Sequence, residues 1–319
     1  MRLKTLSIIL IFCVPFTLIS QIVDVEKALK TVNKDSIDGW KTGGLLGINF
    51  GQTALVNWSA GGQNSIAVGG LLNLFANYKK GNAAFDNSID AGFGMIRQGD
   101  NAIFVKSDDK LDLTSKYGQF AFKNWYYAGL LNFKSQMAPG YNLPNDSVKI
   151  SDFLAPGYLL LALGMDYKPS KNLNIFIAPL TGKITFVNNQ QLANAGAFGV
   201  EAAQYNNLGV LVKKGEKIRY EYGGYVRLFL KHELMENITF QTKLDLFSNY
   251  INNPQNIDVY WESLLNLKVN KFITTSITAT LIYDHDIDIP TYNSDKTIKS
   301  IGPRTQFKEV LAVGVSFKF

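Results

Sequence analysis

From Gly43 to its last residue the chain alternates apolar and polar side chains in short runs. The clearest run is the last: Leu311, Val313, Val315, Phe317 and Phe319 fall on one face, and Ala312, Gly314, Ser316 and Lys318 on the other. A strict period of two is the signature of a strand with one apolar side. The same rhythm places Ile66, Val68, Leu72, Leu74, Ala76 and Tyr78 together, then Phe85, Ile89, Ala91, Phe93 and Met95, then Trp125, Tyr127, Leu131 and Phe133. It recurs in Leu159 to Tyr167, Leu173 to Ile177, Tyr222 to Leu230, Ile238 to Tyr250, Val259 to Val269 and Ile273 to Tyr283. With weaker runs at Leu46 to Phe50 and Leu111 to Tyr117, about 12 strands are expected, each long enough to cross a bilayer at a tilt.

The links between runs form two classes. Lys79 to Asn82, Gln119 to Lys123, Lys168 to Ser170, His232 to Glu236 and Asn270 to Lys271 are short. Between them lie long links: Gly51 to Gln63, Gly99 to Lys106, Ala138 to Ala155, Lys183 to Lys217, Ile251 to Ile257 and His285 to Gln306. Alternation of short and long links is the pattern of a transmembrane up-and-down β-barrel, with short periplasmic turns and long outer loops. A soluble sandwich has no cause to sort its links this way. Aromatic residues follow the same division. Tyr78, Trp125, Tyr127, Tyr167, Phe272, Phe317 and Phe319 are expected at the periplasmic rim, and Tyr158, Tyr222, Tyr250, Trp261, Tyr283 and Phe307 at the outer rim, where amphipathic rings prefer headgroup depth.

The fold expected is therefore all-β: an antiparallel transmembrane barrel over residues 43–319. A lead-in over 21–42, with a short helical stretch, precedes it on the periplasmic side, and a small plug is the alternative for that segment. Before the lead-in, Arg2 and Lys4, the apolar run Leu6 to Ile19 and the small residue Ser20 compose a secretory signal peptide over residues 1–20. Outer-membrane localisation follows, with the lipid bilayer as surroundings. The aromatic C-terminal strand, ending in Phe317 and Phe319, is the expected signal to the barrel-assembly machinery.

Composition narrows the chemistry. The single cysteine, Cys13, lies within the signal and follows Phe12 rather than a small residue, so neither lipidation nor a disulfide framework is expected. Without Arg2 and Lys4 the 32 basic residues become 30 against 26 acidic ones, a net charge of +4 that does not point to nucleic acid.

The polar faces are expected inside the barrel and carry both signs: Asp86, Asp90, Lys110, Asp112, Lys116, Lys134, Arg227, Lys243, Asp245, Glu262 and Lys268. The acidic face of the third strand neighbours the mixed face of the fourth, so ion pairs between them are expected. The interior is then either a packed polar core or a narrow passage for solute. No catalytic site is expected, because His232 and His285 fall on opposite sides of the membrane. Neither a metal nor a cofactor is called for. Asp284, Asp286 and Asp288 alternate at the start of an outer loop and offer oxygen ligands of the kind Ca²⁺ takes, but a solvated acidic loop is the stronger explanation. The segment Asn57-Trp58-Ser-Ala-Gly61-Gly62 sets a large aromatic among small residues in another outer loop, as a constriction or a partner contact.

Several pieces together resemble the family of uncharacterised Gram-negative outer-membrane proteins called domain of unknown function 3078. They are Gln52 to Ser65, Asp109-Lys110, Ser115-Lys-Tyr-Gly118, Trp125-Tyr-Tyr127, Phe133-Lys-Ser-Gln136, Ser151 to Pro156, Gly164 to Pro169 and Pro179 to Lys183. The resemblance implies an outer-membrane barrel and brings no substrate or active residue. Three roles stay open: a structural barrel or passive passage, a binding protein or envelope-assembly subunit acting through its outer loops, and a lipid-acting barrel enzyme.

Overall fold

A computed structural model describes residues 38–56, 63–99, 103–141, 148–170, 172–270, 273–293 and 297–318. The signal segment, Asn57, Trp58, Gly61, Gly62, Phe272 and Phe319 lie outside them. The barrel strands are β1 (Gly39–Thr53), β2 (Ser65–Lys80), β3 (Ala83–Gln98), β4 (Val105–Phe122), β5 (Trp125–Ser135), β8 (Gly157–Tyr167), β9 (Leu173–Phe186), β12 (Ile218–Met235), β13 (Ile238–Asn249), β14 (Ile257–Lys268), β15 (Ile273–Tyr283) and β18 (Gln306–Lys318). The outer loops hold three small hairpins: β6 (Gly140–Tyr141) with β7 (Lys149–Ser151), β10 (Gln204–Tyr205) with β11 (Leu211–Lys213), and β16 (Asp288–Tyr292) with β17 (Ile298–Pro303).

The twelve strands pair antiparallel, each with its sequence neighbour, and β18 closes the ring on β1 through Leu46↔Phe317 and Ile48↔Val315. Closure removes both sheet edges, which is what lets strands cross lipid with every backbone group paired. The first strand begins at Gly39, inside the segment read as lead-in, because Trp40 pairs with Tyr78 across the ladder, their rings 5.2 Å apart.

Side-chain parity sets the two faces. Ile48, Phe50, Leu131, Leu161, Leu163, Leu311 and Val313 are exposed outward, a contiguous apolar belt that on a soluble protein would be left against water. Lipid is the surroundings that belt requires, and the chain is an outer-membrane-type barrel. Tyr222 and Phe307 project outward near the long loops, as the aromatic pattern predicts. Tyr158 does not. It lies between Lys134 and Thr185 in register, and these face the interior, so it belongs to the lumen and not to the girdle.

One irregularity has consequences for the interior. Pro179 cannot donate to the ladder, and the register of β9 shifts there: Ala178 pairs with Tyr225, but Thr181 with Gly223. Parity reverses across the bulge, so Phe176 and Lys183 both face inward. The opposing Gly164 has to be glycine, since a Cβ there would run into the carbonyl of Ile177 and the Cα of Ala178.

Leu265 faces lipid between Phe240 and Ile277. Leu265→Arg is expected to cost about 2–4 kcal/mol at midplane depth. Urea unfolding in bilayers measures it, and an unchanged midpoint would mean that this strand's phase is misread.

Candidate functional site

The interior is organised by β4. Asp108, Lys110, Asp112, Thr114 and Lys116 follow one another at steps of two, so one strand presents alternating charges to the lumen. Each charge reaches a different strand. Lys308 on β18 pairs with Asp108; Lys110 pairs with Glu262 on β14 at 2.7 Å; Lys243 on β13 lies 3.5 Å from Asp112; Lys116 pairs with Asp166 on β8 at 2.7 Å. The expected pairing of β3 with β4 is not what forms. Asp90 instead accepts from the Asn73 amide on β2, and Asp86 leaves Oδ1 without a hydrogen-bond partner among the described residues. Adjacent strands can pair directly, as Asn73 with Asp90 and Arg227 with Asp245 do, but Lys110 and Lys116 of β4 go instead to strands further round the ring.

The Lys110–Glu262 pair divides the lumen. In the ring order β4 and β14 stand six places apart, on opposite walls. A round ring of this size would be about 24 Å across, from strands about 4.8 Å apart tilted by about 40°. Extended lysine and glutamate side chains joined by a hydrogen bond bridge only about 14 Å between Cα atoms. The barrel is therefore flattened between β4 and β14, and a half-lumen lies on each side of the bridge.

The half bounded by β5, β8, β9, β12 and β13 is packed. Ala128, Leu130, Ala162, Phe176, Ala178, Tyr225 and Phe247 form a dry cluster inside the barrel, with Phe176 1% and Ala162 2% exposed. The interior is thus not the uniformly polar core that the inward charges suggest. Around the cluster, Arg227 grips Asp245 through Nε at 2.7 Å and Nη2 at 3.0 Å, a fork on one carboxylate. Lys134 lies 3.4 Å from the same carboxylate and 3.8 Å above the Tyr260 ring, and the Tyr260 hydroxyl donates to Glu262 at 2.9 Å. Towards the periplasm Asp166 collects Lys116, Lys168 at 3.1 Å and the Asn174 amide at 2.5 Å.

The outer end of this half is strapped as well. Lys183 reaches Asp258 at 2.7 Å, Glu221 at 3.4 Å and Asp284 at 3.5 Å, and Arg219 pairs with Glu221 and Asp286. Asp284 and Asp286 are thereby turned towards cations of the wall rather than towards one another, and among the described residues no group of carboxylates converges as a metal site. Above them, helix α1 (Gln190–Asn194), capped by Asn189, packs Leu192 and Ala193 against Ala155, Val187 and Val200 in a second apolar cluster over the mouth. In the neighbouring loop the hydrogen bond from Lys149 at 2.7 Å holds the Asp152 carboxyl below its usual range.

The other half is bounded by β15, β18, β1, β2 and β3, and its walls are thin. Thr274, Ser276, Thr278 and Thr280 face inward along β15, flanked in register by Gly314, Ala312, Val310 and Lys308 on β18 and by Lys268, Asn266, Leu264 and Glu262 on β14. The four β15 residues are only half-buried, and among the described residues none of their hydroxyls has a hydrogen-bond partner. A hydroxyl without a protein partner needs water, so this half is wet. It narrows towards the periplasm, where Leu45 and Phe75 turn inward and are buried. At the outer end the Lys308–Asp108 pair spans it, from β18 to β4 across three intervening strands.

Of the two histidines, His285 lies 3.2 Å from the Tyr283 hydroxyl at the outer rim and His232 sits at the periplasmic end of β12. Neither meets a serine among the described residues.

Residues 50–141 match the model of the family described as Protein of unknown function (DUF3078). The matched segment runs from the end of β1 to β6 and so contains the whole charge ladder of β4. The quoted pieces from Gln52 to Gln136 fall within it, and those from Ser151 onward lie beyond it. No curated protein matches the chain. Among solved structures, the COG4313 outer membrane channel from Pseudomonas putida F1 is similar at 9% identity, covering 91% of this chain and 98% of that one with a TM-score of 0.39. The translocator domain of autotransporter NalP from Neisseria meningitidis is 12% identical over 93% of each chain, with a TM-score of 0.37. The NanC porin is 11% identical over 87% of this chain and all (100%) of that one, with a TM-score of 0.36.

Proposed function

We propose that this outer-membrane barrel is a narrow passive passage for small polar solutes, running along the β15 side of its divided lumen. One observation carries the reading: four successive inward hydroxyls on β15 have no partner among the described residues, and on the β18 side two of them are flanked by the small residues Gly314 and Ala312. The packed half serves as a rigid wall, held by ion pairs that reach across the barrel. Export through the segment 1–20 and insertion by the assembly machinery through β18 belong to the same proposal.

The outer opening of this path is crossed by Lys308 and Asp108, both substantially exposed to solvent. Exposed pairs of this kind hold with about 0–1 kcal/mol and weaken with salt, so the link restrains the opening without sealing it. In planar bilayers the protein is expected to conduct, and Lys308→Ala to conduct more, with the difference shrinking as salt rises. A wild-type protein and a Lys308→Ala variant that both stay at background would sink the passage reading.

A second reading, binding to an envelope partner, draws on the β10–β11 hairpin, which holds Leu208 86% and Val212 68% exposed. Recovery of the protein alone from gently solubilised membranes would count against it.

A further inference from the structure

The wet half-lumen has a chemistry of its own. At about 6.8 Å between alternate residues, the hydroxyls of Thr274, Ser276, Thr278 and Thr280 form a track of about 20 Å. Each oxygen both donates and accepts. Across the β18 strip, Gly314 and Ala312 add no bulk beside the track, and a Cβ at Gly314 would collide with the Asn49 side-chain oxygen on β1, so that amide reaches into the same space. Asn49, like the four hydroxyls, has no side-chain partner among the described residues.

The charges bordering the track above Thr274 are already engaged. Lys110 holds Glu262, Lys308 holds Asp108, and Asp90 accepts from Asn73. Lys268 flanks Thr274 in register, so the periplasmic end of the track is bordered by a cation that has no ion pair among the described residues. A solute moving from Thr280 towards Thr274 therefore meets hydroxyls and an amide that are free to exchange partners, and until it reaches Lys268 it meets charges that are not.

We infer that the β15 track makes the passage selective for uncharged, hydroxyl-rich solutes such as small sugars and polyols. Such a solute trades its hydration for bonds to Thr280, Thr278, Ser276 and Thr274 in succession. A solute with a net charge gives up more water and, along the track above Lys268, finds its counter-charges occupied. An uncharged ether gives up its hydration and recovers little from the track.

The inference rests on the passage reading, and swelling of liposomes containing the full barrel separates the two. The probes are arabinose, its carboxylate arabinonate, and triethylene glycol, an uncharged ether of similar mass. Arabinose is expected to enter several-fold faster than either of the others. Thr278→Val with Thr280→Val keeps the shape of both side chains and removes two hydroxyls; arabinose entry is expected to slow by about five- to tenfold, the worth of one to two hydrogen bonds. Thr275→Val, on the lipid face of the same strand, is expected to leave entry unchanged. Equal rates for the three probes, or arabinose entry indifferent to the double substitution, would overturn the selectivity and leave the passage standing. No entry of any probe, together with no conductance, would remove the passage itself.

Discussion

Replacing Asp166 with leucine is expected to destabilise the barrel by about 3–5 kcal/mol, the usual cost of stripping one partner from a buried ion pair. Asp166 has no exposed surface and accepts from Lys116, Lys168 and Asn174 at 2.7, 3.1 and 2.5 Å. Leucine is of similar size, so the loss is electrostatic and not a cavity. Two buried ammonium groups would be left without their carboxylate. Urea unfolding in bilayers reads the effect as a shift of midpoint at constant slope. Adding Lys116→Met should recover part of the loss, because one stranded charge is then gone, while Lys168 stays stranded. A single variant within about 1 kcal/mol of the parent would mean that the periplasmic half of the interior is hydrated, since water would then be solvating both lysines.

The face of Lys116 was legible from parity alone; its partner was not. Asp112 and Lys116 read as inward because Leu111, Leu113 and Tyr117 read as outward, and the structure agrees. Parity carries no information about which wall faces which, so Lys110–Glu262 and Lys243–Asp112 depend on the flattened cross-section. Lys183 was hidden differently. It falls in the segment read as a long outer loop, while β9 continues to Phe186 through the bulge at Pro179, which turns an odd-numbered lysine inward after odd-numbered isoleucines point outward.

The dry half had a signal that alternation obscures. Leu159 to Leu163 is apolar at every position, not every second one, which is how a strand buried on both faces reads. Leu161 and Leu163 meet lipid, whereas Ala162 lies in the interior cluster with Leu160 packed against it. The hydroxyl ladder of β15 is visible in Ile273-Thr-Thr-Ser-Ile-Thr-Ala-Thr280, but Thr275 points to lipid and its neighbours to the lumen. Only the small residues opposite, on β18, distinguish a wet wall from an ordinary polar one.

One substitution made in both halves separates them most sharply. Ala162→Trp enlarges a residue that is 2% exposed in the packed cluster, and is expected to destabilise the fold by about 3 kcal/mol or more, since no void there accepts the ring. Ala312→Trp places the same ring beside Ser276, at a position that is only half-buried. There the fold is expected to hold within about 1 kcal/mol, because the indole lies in a wet space rather than in a close-packed one. Conductance and solute entry, in contrast, are expected to drop to background, because the ring stands in the path. Stability and transport thus respond in opposite places to one chemical change. If Ala312→Trp unfolded the barrel as Ala162→Trp does, the β15 half would be packed too; if it folded and conducted like the parent, solutes would have to pass elsewhere.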